Sequence, residues 1–127
     1  MRSDCPISFL LDLFGDKWSF LVIRDLLQGK KFYKEFSASK EGIATNILSD
    51  RLKKLEANGI VVSKVCEELR TKKEYSLTEK GKDLIPIIID MILWSDKYQE
   101  GLDVPEGLVE REQQDRQALI TEIKAGL

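Results

Sequence analysis

The sequence predicts a mainly α-helical protein with one small β-hairpin, an α+β fold. Residues 44–58 carry apolar side chains at helical spacing, and Asn58-Gly59 ends that helix. Two short segments follow at 60–66 and 72–77, the first rich in valine and isoleucine, and Thr78-Glu-Lys-Gly81 then begins another helix. A helix, a charged hairpin and a further helix in this order are typical of the second half of a winged helix-turn-helix domain.

Six helices are predicted from apolar spacing and from the residues that begin and end helices. The first has apolar side chains at 7, 10, 11 and 14, between Pro6 and Gly15. Asp16 is a suitable N-cap for the second helix, which is apolar on nearly every side and should therefore be central. The predicted ranges are 7–14, 17–28, 32–36, 44–58, a fifth helix that begins at Thr78 and carries the stripe 84–94, and a sixth within 103–126.

Length and composition favour a single domain. A chain of 127 residues, 43% of them apolar, builds one compact core. The longest apolar run is shorter than the roughly 18 residues that span a bilayer, and the start of the chain does not resemble a secretory signal. We therefore expect a cytoplasmic protein without a membrane partner. Two cysteines and no histidine argue against a disulfide framework and against a metal site.

Positive charge is concentrated in the middle of the chain. Residues 28–82 hold 13 Lys and Arg against 8 Asp and Glu, a balance of +5, whereas the remainder holds 7 bases against 14 acids, a balance of -7. A local field of this kind attracts a phosphate backbone to one face of the molecule. An ordinary solvated surface is the alternative that the charges alone leave open.

The helix at 44–58 is the predicted recognition helix. Leu48, Leu52 and Leu55 share one side and should pack on the core. Short polar side chains near a helix N-terminus can approach base edges in the major groove, while longer cations reach the phosphates. The candidate DNA-binding residues of this helix are Thr45, Asn46, Ser49, Arg51 and Lys53. Any amphipathic surface helix also places polar residues outward, so this pattern alone leaves both interpretations open.

The predicted hairpin carries a second set of cations. Its connecting segment, 67–73, has none of the residues that specify a tight turn, so we expect a loop of several residues. A wing of this kind lies along the DNA backbone or in the minor groove. The candidate DNA-binding residues of the wing and its flanks are Lys31, Arg70, Lys72 and Lys73.

An ordered set of short motifs resembles the HxlR-type winged helix-turn-helix transcriptional regulators. The motifs are Cys5-Pro6, Gly15-Asp-Lys17-Trp18, Phe32-Tyr33-Lys-Glu-Phe36, the segment 42–56, Tyr75-Ser-Leu-Thr-Glu-Lys-Gly81, and then Leu84, Pro86 and Trp94. The resemblance spans roughly residues 5–98. It implies a homodimer whose first and last family helices form the interface, with one recognition helix of each subunit in a major groove.

The predicted domains are 1–98, a winged helix-turn-helix domain with flanking dimerisation helices, and 99–127, an acidic C-terminal helical extension that either braces the dimer or has no role in recognition. The fifth helix is expected to expose isoleucines on a second face, more apolar surface than one small domain covers. Trp18 and Trp94 are interpreted as packing residues, the alternative being the walls of a small-molecule pocket. The candidate interface residues are Ile7, Leu10, Ile85, Ile89, Ile92 and Trp94.

Cys5 is a candidate thiol sensor. It lies just before a helix N-terminus, where the helix dipole favours the reactive thiolate, whereas the neighbouring Asp4 carboxylate disfavours it. Some members of the family that the chain resembles sense oxidants or electrophiles with a cysteine at this place. A small cysteine packed at a dimer interface is the alternative, and Cys66 is interpreted as a strand-packing residue.

The expected function is that of a homodimeric, sequence-specific regulator that binds double-stranded DNA at a palindromic operator, with an oxidant or small molecule as candidate effector. No cofactor is expected. Enzymatic function is not expected, because the sequence has no histidine, no glycine-rich phosphate loop and no convincing carboxylate pair. The alternative is a winged-helix module whose fourth helix binds a protein and does not read DNA.

Overall fold

The computed structural model describes residues 4–68 and 72–127. These residues divide into two compact units, the first made of residues 4–68 and 72–78 and the second of residues 79–127. The elements within them are α1 Pro6–Phe14, α2 Lys17–Leu27, α3 Tyr33–Ser37, α4 Thr45–Ala57, β1 Val61–Val65, β2 Lys73–Leu77, α5 Glu79–Lys82, α6 Ile85–Tyr98 and α7 Leu108–Ala125. The predicted α+β class with one small hairpin is confirmed.

The core of the first unit is centred on α2 and the inner face of α4. Ile23 and Leu48 are completely buried, and Leu52 and Leu55 are 2% exposed, so the predicted inner face of α4 is confirmed. Asp16 caps α2 as predicted, since its carboxylate accepts the backbone N–H groups of Trp18 and Ser19. Because α4 buries its apolar side in this core, its opposite, polar side faces solvent.

Gly59 ends α4 and turns the chain toward the hairpin. Its φ of +73° is a left-handed conformation that favours glycine. The N–H of Ile60 donates to the carbonyl of Leu55 at 2.9 Å, and the N–H of Gly59 donates to the carbonyl of Glu56 at 3.1 Å. This pair of bonds is a Schellman motif, so the predicted glycine stop is confirmed.

The hairpin is antiparallel, with Val61 opposite Leu77 and Val65 opposite Lys73. A short third segment joins β2 on its other side, because Phe32 forms a bridge with Glu74. Two strands were predicted, and one isolated bridge is too short to leave a sequence pattern. The link between the strands includes residues 69–71, so the predicted contact of Arg70 lies outside the described residues.

The prediction of one continuous fifth helix from Thr78 is wrong. The second unit begins with the single turn of α5, followed by a break at residues 83–84 and then by α6. Pro86 in the first turn of α6 explains the break, because proline has no N–H to donate to the carbonyl four residues earlier and its ring clashes with that carbonyl. The described residues therefore contain seven helices instead of six.

The C-terminal helix also differs from its prediction. Asp115 has an extended backbone, φ -161° and ψ 90°, and its carboxylate accepts the N–H of Ala118 at 3.1 Å, so it caps the second half of α7. Beside it, the Arg116 guanidinium binds both carboxylate oxygens of Asp90 on α6, at 2.9 and 3.0 Å. One predicted helix is thus two helical segments, and the second of them is attached to α6 by an ion pair.

Candidate nucleic-acid interface

The outward side of α4 is polar and accessible. Thr45, Asn46 and Lys53 are exposed, and Ser49 is half-buried. Within residues 4–68 and 72–127, the side chains of Asn46 and Lys53 have no hydrogen-bond or ion-pair partner. Ala44 at the N-cap offers no side-chain acceptor to the first turn of the helix. This surface presents short polar groups, a cation and backbone N–H groups, which suit base edges and phosphates.

Arg51 is directed toward the protein. Its Nε donates to Asp16 at 2.9 Å, and its guanidinium also binds Asp50. Burial alone would raise the pKa of Asp16, but hydrogen bonds from Ser19 and Arg51 outweigh it and lower that pKa to about 2. Arg51 therefore joins α4 to the N-terminus of α2, and the structure gives it a positioning role in the protein.

Lys54 makes a second attachment of α4 to the protein. Its Nζ donates to the backbone carbonyl of Asp12 at 3.1 Å, which joins the middle of α4 to α1. Three cations lie on or beside the outward stripe of α4. Arg51 and Lys54 bind other groups of the protein, so Lys53 is the one that remains available to a ligand.

The turn before α4 is fixed by an ion-pair network that the sequence analysis missed. The Arg24 guanidinium donates to both carboxylate oxygens of Glu41, at 2.7 and 2.9 Å. It also donates to Asp25, which is 2% exposed and accepts from Ser39 and Lys30 as well. The hydrogen bond from Arg24 lowers the pKa of Glu41 to about 2. The sequence contained one signal of this network, the aspartate Asp25 in a largely apolar helix, because a buried charge requires partners.

Tyr33 is the second feature that sequence analysis missed. Its hydroxyl donates to the backbone carbonyl of Thr45 at 2.8 Å and lies 3.1 Å from the Ser49 hydroxyl. The sequence pattern suggested only an apolar packing residue of the third helix. The signal that could have found this contact is the hydroxyl itself, since a half-buried tyrosine usually places it on a partner.

The cations of the wing differ in their existing contacts. Lys31 Nζ is 3.5 Å from Glu74, and Lys72 Nζ is 4.5 Å from the centroid of the Phe32 ring. Lys73 is exposed, and its Nζ has no ion-pair partner among the described residues. Among the described cations of the wing and its flanks, Lys31, Lys72 and Lys73, it is therefore Lys73 that would lose the fewest contacts within the protein on binding a phosphate.

The apolar surface of α6 lies on the opposite face from the one predicted. Ile85 and Ile89, expected to be exposed for a partner, are 1% and 2% exposed, and this expectation is wrong. Both faces of α6 are apolar, so helical spacing alone did not decide which one the protomer buries. The exposed face, called here the α6 stripe, consists of Ile87, Met91, Trp94 and Tyr98.

The remaining interface candidates lie as follows. Trp94 is 68% exposed and its ring centroid is 5.3 Å from that of Tyr98, so Trp94 does not pack in the protomer core. Ile7 on α1 is 71% exposed, whereas Leu10 and Ile92 are half-buried. The four positions 87, 91, 94 and 98 recur at i, i+4, i+7 and i+11, the spacing of a helix face that packs against another helix.

Cys5 lies at the N-cap of α1 and is exposed, and Cys66 is half-buried at the end of β1. The two thiols are not joined in a disulfide. Cys66 closes the base of the hairpin link, because its backbone N–H donates to the carbonyl of Lys72 at 2.7 Å.

The described residues contain neither a helix that could span a membrane nor a cluster of metal-binding side chains. No helix among them is both long and apolar enough to cross a membrane. In the same part of the chain, no group of three histidine, cysteine, aspartate or glutamate side chains is arranged to hold a metal ion. Trp18 lines a shallow open cleft together with Asp25 and Ser39.

Comparison with known proteins decides the family. Residues 13–103 match the family model described as HxlR-like helix-turn-helix. The chain belongs to the HxlR-like family. The match includes α2 to α6 and therefore the whole of the candidate interface, whereas α7 lies beyond it.

Relatives of this HxlR-like protein are transcriptional regulators and not enzymes. YybR of Bacillus subtilis strain 168, an uncharacterized HTH-type transcriptional regulator, is 36% identical over 114 residues, which are 88% of this chain and 91% of YybR. YodB of the same strain, an HTH-type transcriptional regulator, is 37% identical over 97 residues, 76% of this chain and 87% of YodB.

Solved structures agree with the winged-helix fold. Reduced YodB has a TM-score of 0.64 at 36% identity, over 80% of this chain and 100% of that chain. Quinone-bound YodB has a TM-score of 0.62 at 35% identity, over 74% of this chain and 99% of that chain. The redox regulator HypR in its oxidized form has a TM-score of 0.67 at 36% identity, over 76% of this chain and 100% of that chain.

Proposed function

We propose that this HxlR-like regulator binds double-stranded DNA sequence-specifically as a homodimer, with the outward side of α4 in the major groove of each half of a palindromic operator. The observation that carries the proposal is the accessible polar face of Thr45, Asn46 and Lys53 on a helix whose other face is buried in the core. In this assignment Asn46 reads a base edge, and Lys53 and Lys73 bind phosphates. Cytoplasmic location is part of the proposal.

A twofold partner is supported by the α6 stripe and by the exposed Ile7 on α1. Four large apolar side chains on one helix face are a substantial area to leave in water, and an isologous partner would bury them. A stable interface buries about 800 Å² of each subunit. Two α4 helices related by this axis would be about 34 to 36 Å apart, to match successive major grooves. The extension 99–127 remains a proposed accessory to the 1–98 domain.

Substitutions on α4 should separate base contacts from phosphate contacts. Lys53→Ala should weaken binding to all sequences and reduce the steepness of log affinity against log salt by about 1.8, because one phosphate contact is lost in each of the two half-sites. Asn46→Ala should keep that slope and relax sequence preference at one base pair of each half-site. Fluorescence anisotropy across a salt series, on the selected operator and its point variants, measures both effects.

Lys124→Ala is the matched control, since it removes the same charge from α7, where Lys124 binds Asp83. The control should bind DNA as the parent does. If the parent protein fails to bind DNA, or binds it independently of salt, the proposal is contradicted and the alternative, a protein-docking module, is favoured.

We also propose that Cys5 senses an oxidant or electrophile such as a quinone. The support is its exposed position at the N-terminus of α1, next to the exposed Ile7, together with the redox and quinone-bound structures of the related HypR and YodB. A modified thiol at this place would alter how α1 meets a partner, and a changed distance between the two α4 helices would cost DNA-binding free energy.

Treatment with a quinone should change operator affinity of the parent protein, and Cys5→Ser should abolish this response because the nucleophilic sulfur is gone. Cys66→Ser is the matched control and should respond as the parent does. The measurement is operator affinity before and after treatment, with intact mass to count adducts. Equal responses of the parent and Cys5→Ser would contradict the proposal.

A further inference from the structure

The hydroxyl of Tyr33 connects two polar groups of the first turns of α4. It donates to the backbone carbonyl of Thr45 at 2.8 Å and lies 3.1 Å from the hydroxyl oxygen of Ser49. A carbonyl oxygen can only accept, so the one hydroxyl proton of Tyr33 is donated to the carbonyl of Thr45. Both bonds can then exist together only if the Ser49 hydroxyl donates its own proton to the tyrosine oxygen.

The position of Tyr33 is set by the rest of its own short helix. Phe36, one turn later, is 1% exposed and holds α3 in the core of the first unit. The Glu35 carboxylate accepts the backbone N–H groups of Lys31 and Phe32, at 3.0 and 3.1 Å, and so fixes the start of the helix. The tyrosine hydroxyl is therefore held against α4 before any ligand arrives.

We infer that Tyr33 is a positioning residue for base recognition, which fixes Ser49 as a pure hydrogen-bond acceptor toward DNA. The inference rests on the proposed function, because it assigns the hydrogen-bond polarity of one side chain on the proposed reading surface. A serine that already donates its proton to another group offers a ligand only the lone pairs of its oxygen. A serine with a freely rotating proton has no such preference, since it can donate or accept.

The consequence is a preference for amino bases over keto bases at one position of each half-site. In the major groove, adenine presents its N6 amino group and cytosine its N4 amino group, which donate, whereas guanine O6 and thymine O4 accept. An acceptor-only Ser49 forms a hydrogen bond with adenine or cytosine. Opposite guanine or thymine, the Ser49 oxygen faces the acceptor of the base, so neither of these two acceptors is hydrogen-bonded.

The test is a selection of bound fragments from random duplexes, followed by affinity measurements on the selected site with each of the four bases at the Ser49 position. The parent should prefer adenine and cytosine over guanine and thymine by about fivefold. Tyr33→Phe keeps the ring and removes only the hydroxyl, so it should bind the amino-base sites nearly as well and lose most of this preference. Ser49→Ala should also lose it, and adding Tyr33→Phe to Ser49→Ala should change nothing further.

Tyr75→Phe is the matched control, because Tyr75 packs its ring edge-on against Phe36 and its hydroxyl has no hydrogen-bond partner among the described residues. It should keep the amino-base preference. Thermal unfolding verifies that each variant is folded. If the parent binds a defined site but Tyr33→Phe keeps the full preference, or if no position separates amino from keto bases, the inference is overturned and the proposed function stands. Failure of the parent to bind any duplex overturns both.

Discussion

Trp94→Glu should convert the dimer into a monomer and weaken operator binding by about 100-fold or more, because a monomer loses the effective concentration that holds the second half-site. Trp94 is 68% exposed in the α6 stripe, where its ring is in tilted contact with that of Tyr98, so the substitution leaves the protomer core intact. A twofold interface repeats each substitution, and two carboxylates would be buried without partners. Light scattering and operator affinity measure the two effects.

Val62→Glu is the matched control for this substitution. Val62 is 50% exposed on β1, so the control adds the same charge to an apolar surface residue outside the α6 stripe. We expect it to remain dimeric. A parent protein that is monomeric at micromolar concentration, or a Trp94→Glu variant that still dimerises, would contradict the proposed interface.

Arg24→Ala should lower the free energy of unfolding by about 2 to 4 kcal/mol, because a buried carboxylate loses its guanidinium partner. Removing the guanidinium leaves the Asp25 carboxylate, 2% exposed, with Ser39 and with Lys30 at 3.5 Å. It also removes both hydrogen bonds to Glu41. Urea denaturation measures the loss. Arg111→Ala is the control, because its ion pair with Glu122 is exposed and should contribute less than about 0.5 kcal/mol.

The effect of Arg24→Ala should depend on pH. The pKa of Glu41 is lowered from 4.5 to about 2 in the folded protein. A lowered pKa means that the Arg24–Glu41 pair stabilises the fold above about pH 4.5 and that this contribution is lost as the pH falls toward 2. The difference in stability between the parent and Arg24→Ala should therefore shrink between pH 5 and pH 2. A difference that is constant over this range would contradict the assignment.

Local chemistry explains what could be predicted from the sequence. The N-cap at Asp16, the glycine stop at Gly59 and the leucine face of α4 each depend on residues a few positions apart, and each is confirmed. The order of helices around a charged hairpin was sufficient for the fold class and, with the motifs, for the family.

Contacts between distant residues explain what could not be predicted. Arg51 was expected to face DNA, but it binds Asp16, which lies 35 residues earlier. Tyr33 reaches Thr45 across 12 residues of sequence, and Arg24 reaches Glu41 across 17. Helical spacing gives the two faces of a helix without saying which neighbour covers each, and this is why the exposed face of α6 was assigned wrongly.

In the proposed complex, the outward side of α4 enters the major groove twice, once from each subunit. An iron chelate attached to Asn46→Cys, with both native cysteines replaced by serine, should cleave a selected operator in two clusters related by twofold symmetry, about 10 base pairs apart or a multiple of that. The same chelate on Gln113→Cys of α7 is the control and should give a different pattern or none. Cleavage that is absent from a labelled Asn46→Cys protein that still binds the operator, or that is the same as from the control, would contradict this arrangement.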